Sequence, residues 1–203
     1  NFLSQVGDFS LMDNNGFATG IDFGFETGQV FGAIPIYPDA WSRAYLGYVP
    51  VVDYRQGSDL RVVAAAVASE GVKIARIPIS ENEFYLIENR LQETDGLPTA
   101  ALADSTTNVI QGPVNYQRQF TGEYDYLTPG SGMLIYRVDE AVAGLDWDGD
   151  GQNNFEDNDL QNNPDQKFLT LIEGDGQINF GGYYRAGFGT ADDMYRDDRN
   201  HSF

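Results

Sequence analysis

Twelve consecutive residues, Asp146 to Asp157, carry the spacing of a cation-binding loop. Counted from Asp146, oxygen-bearing side chains fall at the first, third and fifth places: Asp146, Asp148 and Asp150. Gly151 takes the sixth place, where such a loop must turn sharply. Gln152 offers a backbone carbonyl at the seventh. Asn154 at the ninth acts directly or through a water, and Asp157 closes the loop at the twelfth. A hard cation takes six to eight oxygens at about 2.3–2.6 Å on a flexible turn, and this order of residues supplies them. The expected ion is Ca2+. A bidentate Glu usually closes such a loop. Here it is Asp, with Glu156 one place early, which suits looser binding. The alternative is a solvated acidic turn, which any acidic chain can carry. Five matched positions and the glycine favour calcium.

The rest of the composition agrees with a cation partner. Formal net charge is −19 over 203 residues, and the only lysines are Lys73 and Lys167. Such a surface repels nucleic acid and anionic membranes, so neither is an expected partner. A marine or halophilic secreted protein and plain colloidal solubility explain the charge equally well. Apolar residues make up 41% and aromatics 13%, enough for a real core and too much for a disordered chain. The length fits one domain, or one domain with part of another. There is no cysteine, so there is neither a disulfide frame nor a thiolate metal site. The longest apolar run, 62–68, is far too short to span a bilayer, and no membrane insertion is expected. Calcium points to an extracellular setting, secreted or on a cell surface. The chain starts at Asn1 with no signal-peptide pattern, so a processed product or fragment is expected.

The elements that must hold the loop are mostly strands. Residues 1–33 read as loops rich in Gly, Asn, Asp and Phe. Pro35 and Pro38 frame a short helix with Asp39 in its first turn. Ala40, Trp41, Ala44 and Tyr45 lie on one face, and Gly47 ends it. Short apolar runs at 60–67, 72–79, 84–88, 133–138 and 168–172 read as strands, several apolar on both faces and so central in a covered sheet. The stretch 91–131 is too long for a plain loop and reads as an insertion with structure of its own. The fold class is α+β and β-rich. It has a short helix after a methionine-bearing loop, then a mainly antiparallel sheet with long loops and the inserted calcium loop 146–157. The expected division is 1–50 and 51–203.

The chain is poor in catalytic groups. His201 is the sole histidine, close to the chain end, and reads as an exposed terminal residue. A catalytic zinc usually needs three protein ligands, mostly His, and one His without Cys cannot build that site. Gly181-Gly182 precede Tyr183-Tyr184 rather than a helix start, so no phosphate loop is read there. Glu88 lies in an apolar strand, where a lone charge is costly. It needs Arg90, Arg137 or a cation, and a buried ion pair is favoured over a second metal site. Asp139 and Glu140 close a strand beside the calcium loop, as turn caps or as extra ligands.

Four segments, in order, resemble secreted zinc metalloproteases of the immune inhibitor A type. Residues 7–13, Gly-Asp-Phe-Ser-Leu-Met-Asp, resemble the family's methionine turn beneath the catalytic zinc. Residues 34–48 resemble the helix that follows it. Residues 84–90, Phe-Tyr-Leu-Ile-Glu-Asn-Arg, resemble its aromatic-x-L-x-E-N-R strand. Residues 124–140 resemble its block ending L-I-x-H-V-D-E, with Arg137 where the family has histidine. Weaker echoes lie at 171–176 and 189–193. The resemblance implies that residues 1–50 are the C-terminal end of a catalytic domain and 51–203 a β-rich portion packed on it. It also implies that Met12 lies under a zinc. That Zn2+, the H-E-x-x-H helix and the polypeptide substrate's chemistry would belong to an upstream part of the full-length parent. No residue of this chain is then an expected catalytic residue. Met12 as ordinary core is the alternative.

The rival is a non-enzymatic extracellular adhesion or binding module that depends on calcium and uses the same scaffold. The loop's D-x-D-G-D-G-x-x-N-x-x-D wording is also similar to dockerin loops, which implies a cohesin binder. A single loop, and Pro164 in the path of a long exit helix, weigh against it.

Overall fold

The computed structural model describes residues 5–13, 21–24, 28–104, 106–107, 109–178, 180 and 188–197. In chain order the elements are β1 (Ile21–Asp22), β2 (Gln29–Val30), α1 (Ala40–Tyr45), β3 (Val51–Asp53) and β4 (Ile74–Pro78). There follow β5 (Glu83–Arg90), β6 (Ala100–Ala103), β7 (Ile110–Val114), β8 (Gly132–Asp139) and β9 (Leu169–Ile172). Five of them form one sheet in the order β3-β4-β5-β8-β9, antiparallel except for the parallel β3–β4 pair. The protein is therefore β-rich α+β with a mainly antiparallel sheet, as its sequence leads one to expect.

Strict alternation in the two longest strands makes this sheet. In β5, Phe84, Leu86, Glu88 and Arg90 are buried while their neighbours are half-buried. In β8, Leu134, Tyr136 and Val138 are buried. The register sets Glu88 opposite Leu134 and Leu86 opposite Tyr136, so all of these side chains share one face. The core on that face also takes in Val6, Phe9, Ala40, Phe168 and Met194, drawn from both ends of the chain.

On the other face the described residues are mostly half-buried, and Ala75, opposite Ile87, is buried. Met133 is 42% exposed, and the Glu83–Arg137 ion pair lies on this half-open surface. The run 60–67 is not a strand. Val62 makes a single bridge to Val72, and a turn follows with Val67 N–H bonded to Ala64 O at 3.2 Å. Lys73 Nζ donates to the carbonyls of Ala64 and Val67 and holds that turn shut. β3 was not legible, because three residues give no periodicity. The insertion 91–131 does have its own structure, the β6–β7 hairpin and a 3-10 turn at Tyr124–Leu127.

The short helix starts where its cap dictates. Asp39 Oδ1 accepts from Ser42 N at 2.9 Å, and its Oδ2 accepts from the hydroxyls of Ser42 and Ser10, each at 2.8 Å. Ser10 Oγ in turn accepts from Asp39 N and Met12 N. The cap thus ties the methionine-bearing loop to the helix. Gly47, at φ +74°, turns the chain out of it. The buried flank differs from the expected one. Ala40, Ser42 and Arg43 are buried and Tyr45 is 61% exposed, because Arg43 is drawn inward by a carboxylate.

That carboxylate is Glu88, and it belongs to a buried network. Glu88 Oε1 accepts from Arg90 Nη1 at 3.1 Å and from the Tyr136 hydroxyl at 2.8 Å, while Oε2 accepts from Arg43. Arg90 also grips Asp125 through two bonds, one of them Nε to Oδ2 at 2.6 Å. It donates further to the carbonyls of Phe9 and Tyr37. Two guanidiniums meet two carboxylates, and Glu88, Arg90 and Asp125 are wholly enclosed. The sequence anticipated Glu88 with Arg90. Arg137 is excluded as a partner because it lies opposite Tyr85, on the other face.

Removing one partner from this network leaves an uncompensated buried charge, which typically costs about 3–5 kcal/mol. Asp125→Ala should lower unfolding stability by that order in urea titrations, and a loss below about 1 kcal/mol would count against the network's structural weight. Burial alone would raise the Glu88 carboxyl. The Arg43 and Arg90 charges outweigh it and hold the group below the usual range. A carboxyl lowered by folding stabilises the protein above its unfolded value of about 4.3, and the gain is lost as pH falls through the folded value. Stability measured from about pH 5 down to pH 3 should fall more gently in Glu88→Gln than in the wild type.

Candidate metal centre

The chain leaves β8 through a 3-10 turn at Glu140–Gly144, capped by Asp139 Oδ1 on Ala141 N at 3.1 Å. It then enters the loop 146–157. Each early aspartate bends the backbone around itself. Asp146 accepts from Gly149 N at 2.7 Å and Gly151 N at 3.0 Å, and Asp148 from Asp150 N at 3.1 Å. Asp150 Oδ1 accepts from Gln152 N at 2.8 Å and its Oδ2 from Gln152 Nε2 at 3.1 Å. Gly149 (φ +77°) and Gly151 (φ +95°) sit in the left-handed region, where a side chain would be strained. The outcome is a convergence: one carboxylate oxygen each from Asp146, Asp148 and Asp150 lies within 4.8 Å of the others, all exposed.

The remaining expected ligands divide. Gln152 holds Asp150 in place through both its backbone and its side chain. Asp157 is outside the tight group but feels it. Partial burial, then the charges of Asp150, Asp148, Asp159 and Asp146, push its carboxyl up. Asn154 turns inward and is only 1% exposed. Its Nδ2 donates to Val142 O at 2.8 Å and its Oδ1 accepts from Trp147 N at 3.2 Å. A buried amide must satisfy its polar atoms, and Asn154 does so against the loop's own entrance, as a brace. Asp139 and Glu140 are not in the converging group; Asp139 is the cap just described.

The loop's exit forms one wall of a cleft of about 560 Å³. Asn158, in the left-handed region at φ +59°, ends the turn that begins at Asn154. Gln161 then docks on β9, its Nε2 donating to Leu169 O at 2.8 Å. Across the cleft lie Met12, Asp13, Asp39 and Trp41. Met12 is 65% exposed, so it is not core among the described residues. Its loop is held by Asp13, whose Oδ2 accepts from Gln5, Val6 and Gly7 N–H at 2.7–2.8 Å.

The donors fit a hard cation and not zinc. Every candidate group among the described residues is made of carboxylates, and the chain has one histidine, which lies outside the described residues. The sequence pattern revealed the loop. It did not reveal Arg43, Asp125 or Tyr136, and the one available signal was an arginine a single turn past a helix cap.

Asp157 lets the electrostatic reading be tested by sign. A carboxyl raised by folding favours the fold while protonated, and that contribution is lost as pH rises through the folded value. At neutral pH it is a repulsion, which a bound cation would offset. Calcium should raise the melting temperature of the chain by several degrees and chelator should reverse it. Asp148→Asn with Asp150→Asn should remove the shift. Asp157→Asn should shrink it while leaving the chelated protein at least as stable as the wild type. Identical melting curves with and without chelator would exclude a structural cation.

Compared with known proteins, the chain matches no family model, no curated protein and no solved structure.

Proposed function

We propose that this chain is the calcium-binding part of a secreted zinc metalloendopeptidase of the immune inhibitor A type, with the peptide-cleaving groups carried elsewhere in the full-length protein. The observation that carries this reading is a convergence. Three segments that resemble the family, 34–48, 84–90 and 124–140, meet at one buried network through Arg43, Glu88, Arg90, Asp125 and Tyr136. The fourth segment meets the same network, since Phe9 O accepts from Arg90 Nη1. Residues far apart in sequence would serve one structural device, as a shared family core requires. The exposed Met12 and the cleft beside it suit a surface on which a further part of the protein packs. In this reading calcium at 146–157 fixes the wall of that cleft, and the polypeptide substrate is handled by the full-length protein. No helix among the described residues is long and apolar enough to cross a membrane.

One observation favours the rival, an extracellular binding module that depends on calcium. Tyr45 stacks on Trp41 at 4.9 Å and approaches Phe155 of the calcium loop at 5.8 Å between ring centroids. Tyr45 is 61% and Phe155 43% exposed. Exposed aromatics beside an ion-ordered loop are a feature of binding surfaces.

The two readings separate on activity. The 203-residue chain should cleave no peptide with or without zinc. The full-length protein should show proteolysis that a zinc chelator abolishes, and replacing its H-E-x-x-H glutamate should remove activity without unfolding. Met12→Leu should cost little, because volume is conserved. A full-length protein that has no such motif and binds no zinc overturns the protease reading in favour of the binding module.

A further inference from the structure

A second group of carboxylates converges away from the loop. One oxygen each from Glu173, Asp175 and Asp193 lies within 4.8 Å of the others, and here two of the three residues are buried. Glu173 is 8% exposed and Asp193 1%. Sequence spacing hides this group, because Asp193 comes from a separate segment.

The backbone brings the two segments into contact. Gly174 N donates to Asp193 O at 2.9 Å. A side chain at Gly174 would meet the Met194 backbone at 3.1 Å, so the close approach requires glycine. Glu173 and Asp175 flank that contact on one strand end. Asp193 is oriented from the other side by a capping box: its Oδ2 accepts from Thr190 N at 2.6 Å and from the Thr190 hydroxyl at 3.2 Å. Its second oxygen, Oδ1, is buried and meets no hydrogen-bond donor. A buried carboxylate oxygen without a partner is costly, and native proteins rarely leave one so. A cation within the triad would satisfy the orphaned oxygen and cancel the repulsion together.

We propose that Glu173, Asp175 and Asp193 form a second divalent-cation site, of calcium class, that fastens the segment 190–195 to the end of β9. The donors are all hard oxygens, with no nitrogen or sulfur ligand among them, which suits calcium over a transition metal. The site would act as a clasp. Just beyond it, Met194 enters the core and Tyr195 pairs with Met133, N–H to carbonyl at 2.9 and 3.0 Å. Holding Asp193 therefore holds the strand-like pairing that covers the end of β8.

The test uses the whole chain with the loop site disabled by Asp148→Asn and Asp150→Asn. Calcium binding to this variant is measured by calorimetry. The expected result is one remaining calcium per chain. Adding Asp175→Asn should weaken it at least tenfold, the scale on which even an outer-shell partner matters. Asp175 is exposed and its bond from Gln177 N at 2.8 Å can be kept by an asparagine oxygen, so this variant should fold and melt like its parent in chelator. Asp193→Asn should abolish binding. Two outcomes overturn the proposal: the loop-disabled chain binds no calcium at millimolar concentration, or Asp175→Asn leaves its affinity unchanged. A wild-type chain that binds a single calcium, lost on Asp175→Asn but not on Asp148→Asn, would instead sink the loop site and keep this one.

Discussion

The buried network of Arg43, Glu88, Arg90 and Asp125 is the constraint on which the rest of the structure depends. Arg90 makes bonds to four places at once: Glu88 on its own strand, Asp125 in the insertion, and the carbonyls of Phe9 and Tyr37. A planar guanidinium with five donors suits this role, and a lysine could not fill it. Once Arg90 is fixed, the positions of the N-terminal loop, the helix and the 3-10 turn at 124–127 follow. Such a network is weak evidence for net stability, since desolvation offsets much of its Coulomb gain. Its contribution here is to specify which loops meet. Burial would push the Tyr136 phenol up, and the Glu88 charge pushes the same way, so it remains the proton donor the carboxylate needs.

The insertion is anchored by the same logic one residue away. Glu123 is buried, and its carboxylate accepts from Thr94 N and Thr94 Oγ1 at 2.6 Å each, and from Thr99 Oγ1. Glu123 thus closes the base of the hairpin while Asp125 reaches the sheet. Burial would raise the Glu123 carboxyl, but these hydroxyl and backbone donors hold it low. Two acids separated by Tyr124 therefore serve opposite ends of one turn. These bonds order the stretch 91–131, which its sequence marks as an insertion with structure of its own.

What was legible in the sequence follows from the length scale of each signal. The strands 84–88 and 133–138 carry enough alternation to be read directly, and their register then needs only a partner. The acidic loop 146–157 was legible because its carboxylates are local, all within twelve residues. The role of Asn154 was not, since pattern places it at a ligand position and only burial shows that its amide serves Val142 and Trp147. The run 60–67 has strand composition but lacks a neighbour to pair with over its length, so composition alone misleads there. Arg43 has the pattern of a surface residue until its partner, forty-five positions away, is known. The triad of Glu173, Asp175 and Asp193 fails the same way, because no local spacing links its members.

These observations suggest how a chain with few long elements and no disulfide holds its loops. A core gathered mainly on one face of the five-stranded sheet leaves the peripheral loops outside it. Cross-links must then come from polar chemistry, and in this sequence the supply is acidic. Where an acid finds an arginine or a cluster of backbone N–H groups, it is neutralised internally, as at Glu88, Asp125 and Asp13. Where acids crowd one another, as at 146–150 and at 173, 175 and 193, the fold brings like charges together against their repulsion, even with bonds from backbone N–H and hydroxyl groups. A cation bound at either place would offset that repulsion. A formal net charge of −19 attracts divalent cations in general. In the proposed reading the charge of the chain, its lack of cysteine and its acid clusters are then one feature: loops fastened by ions, and released when the ions are withdrawn.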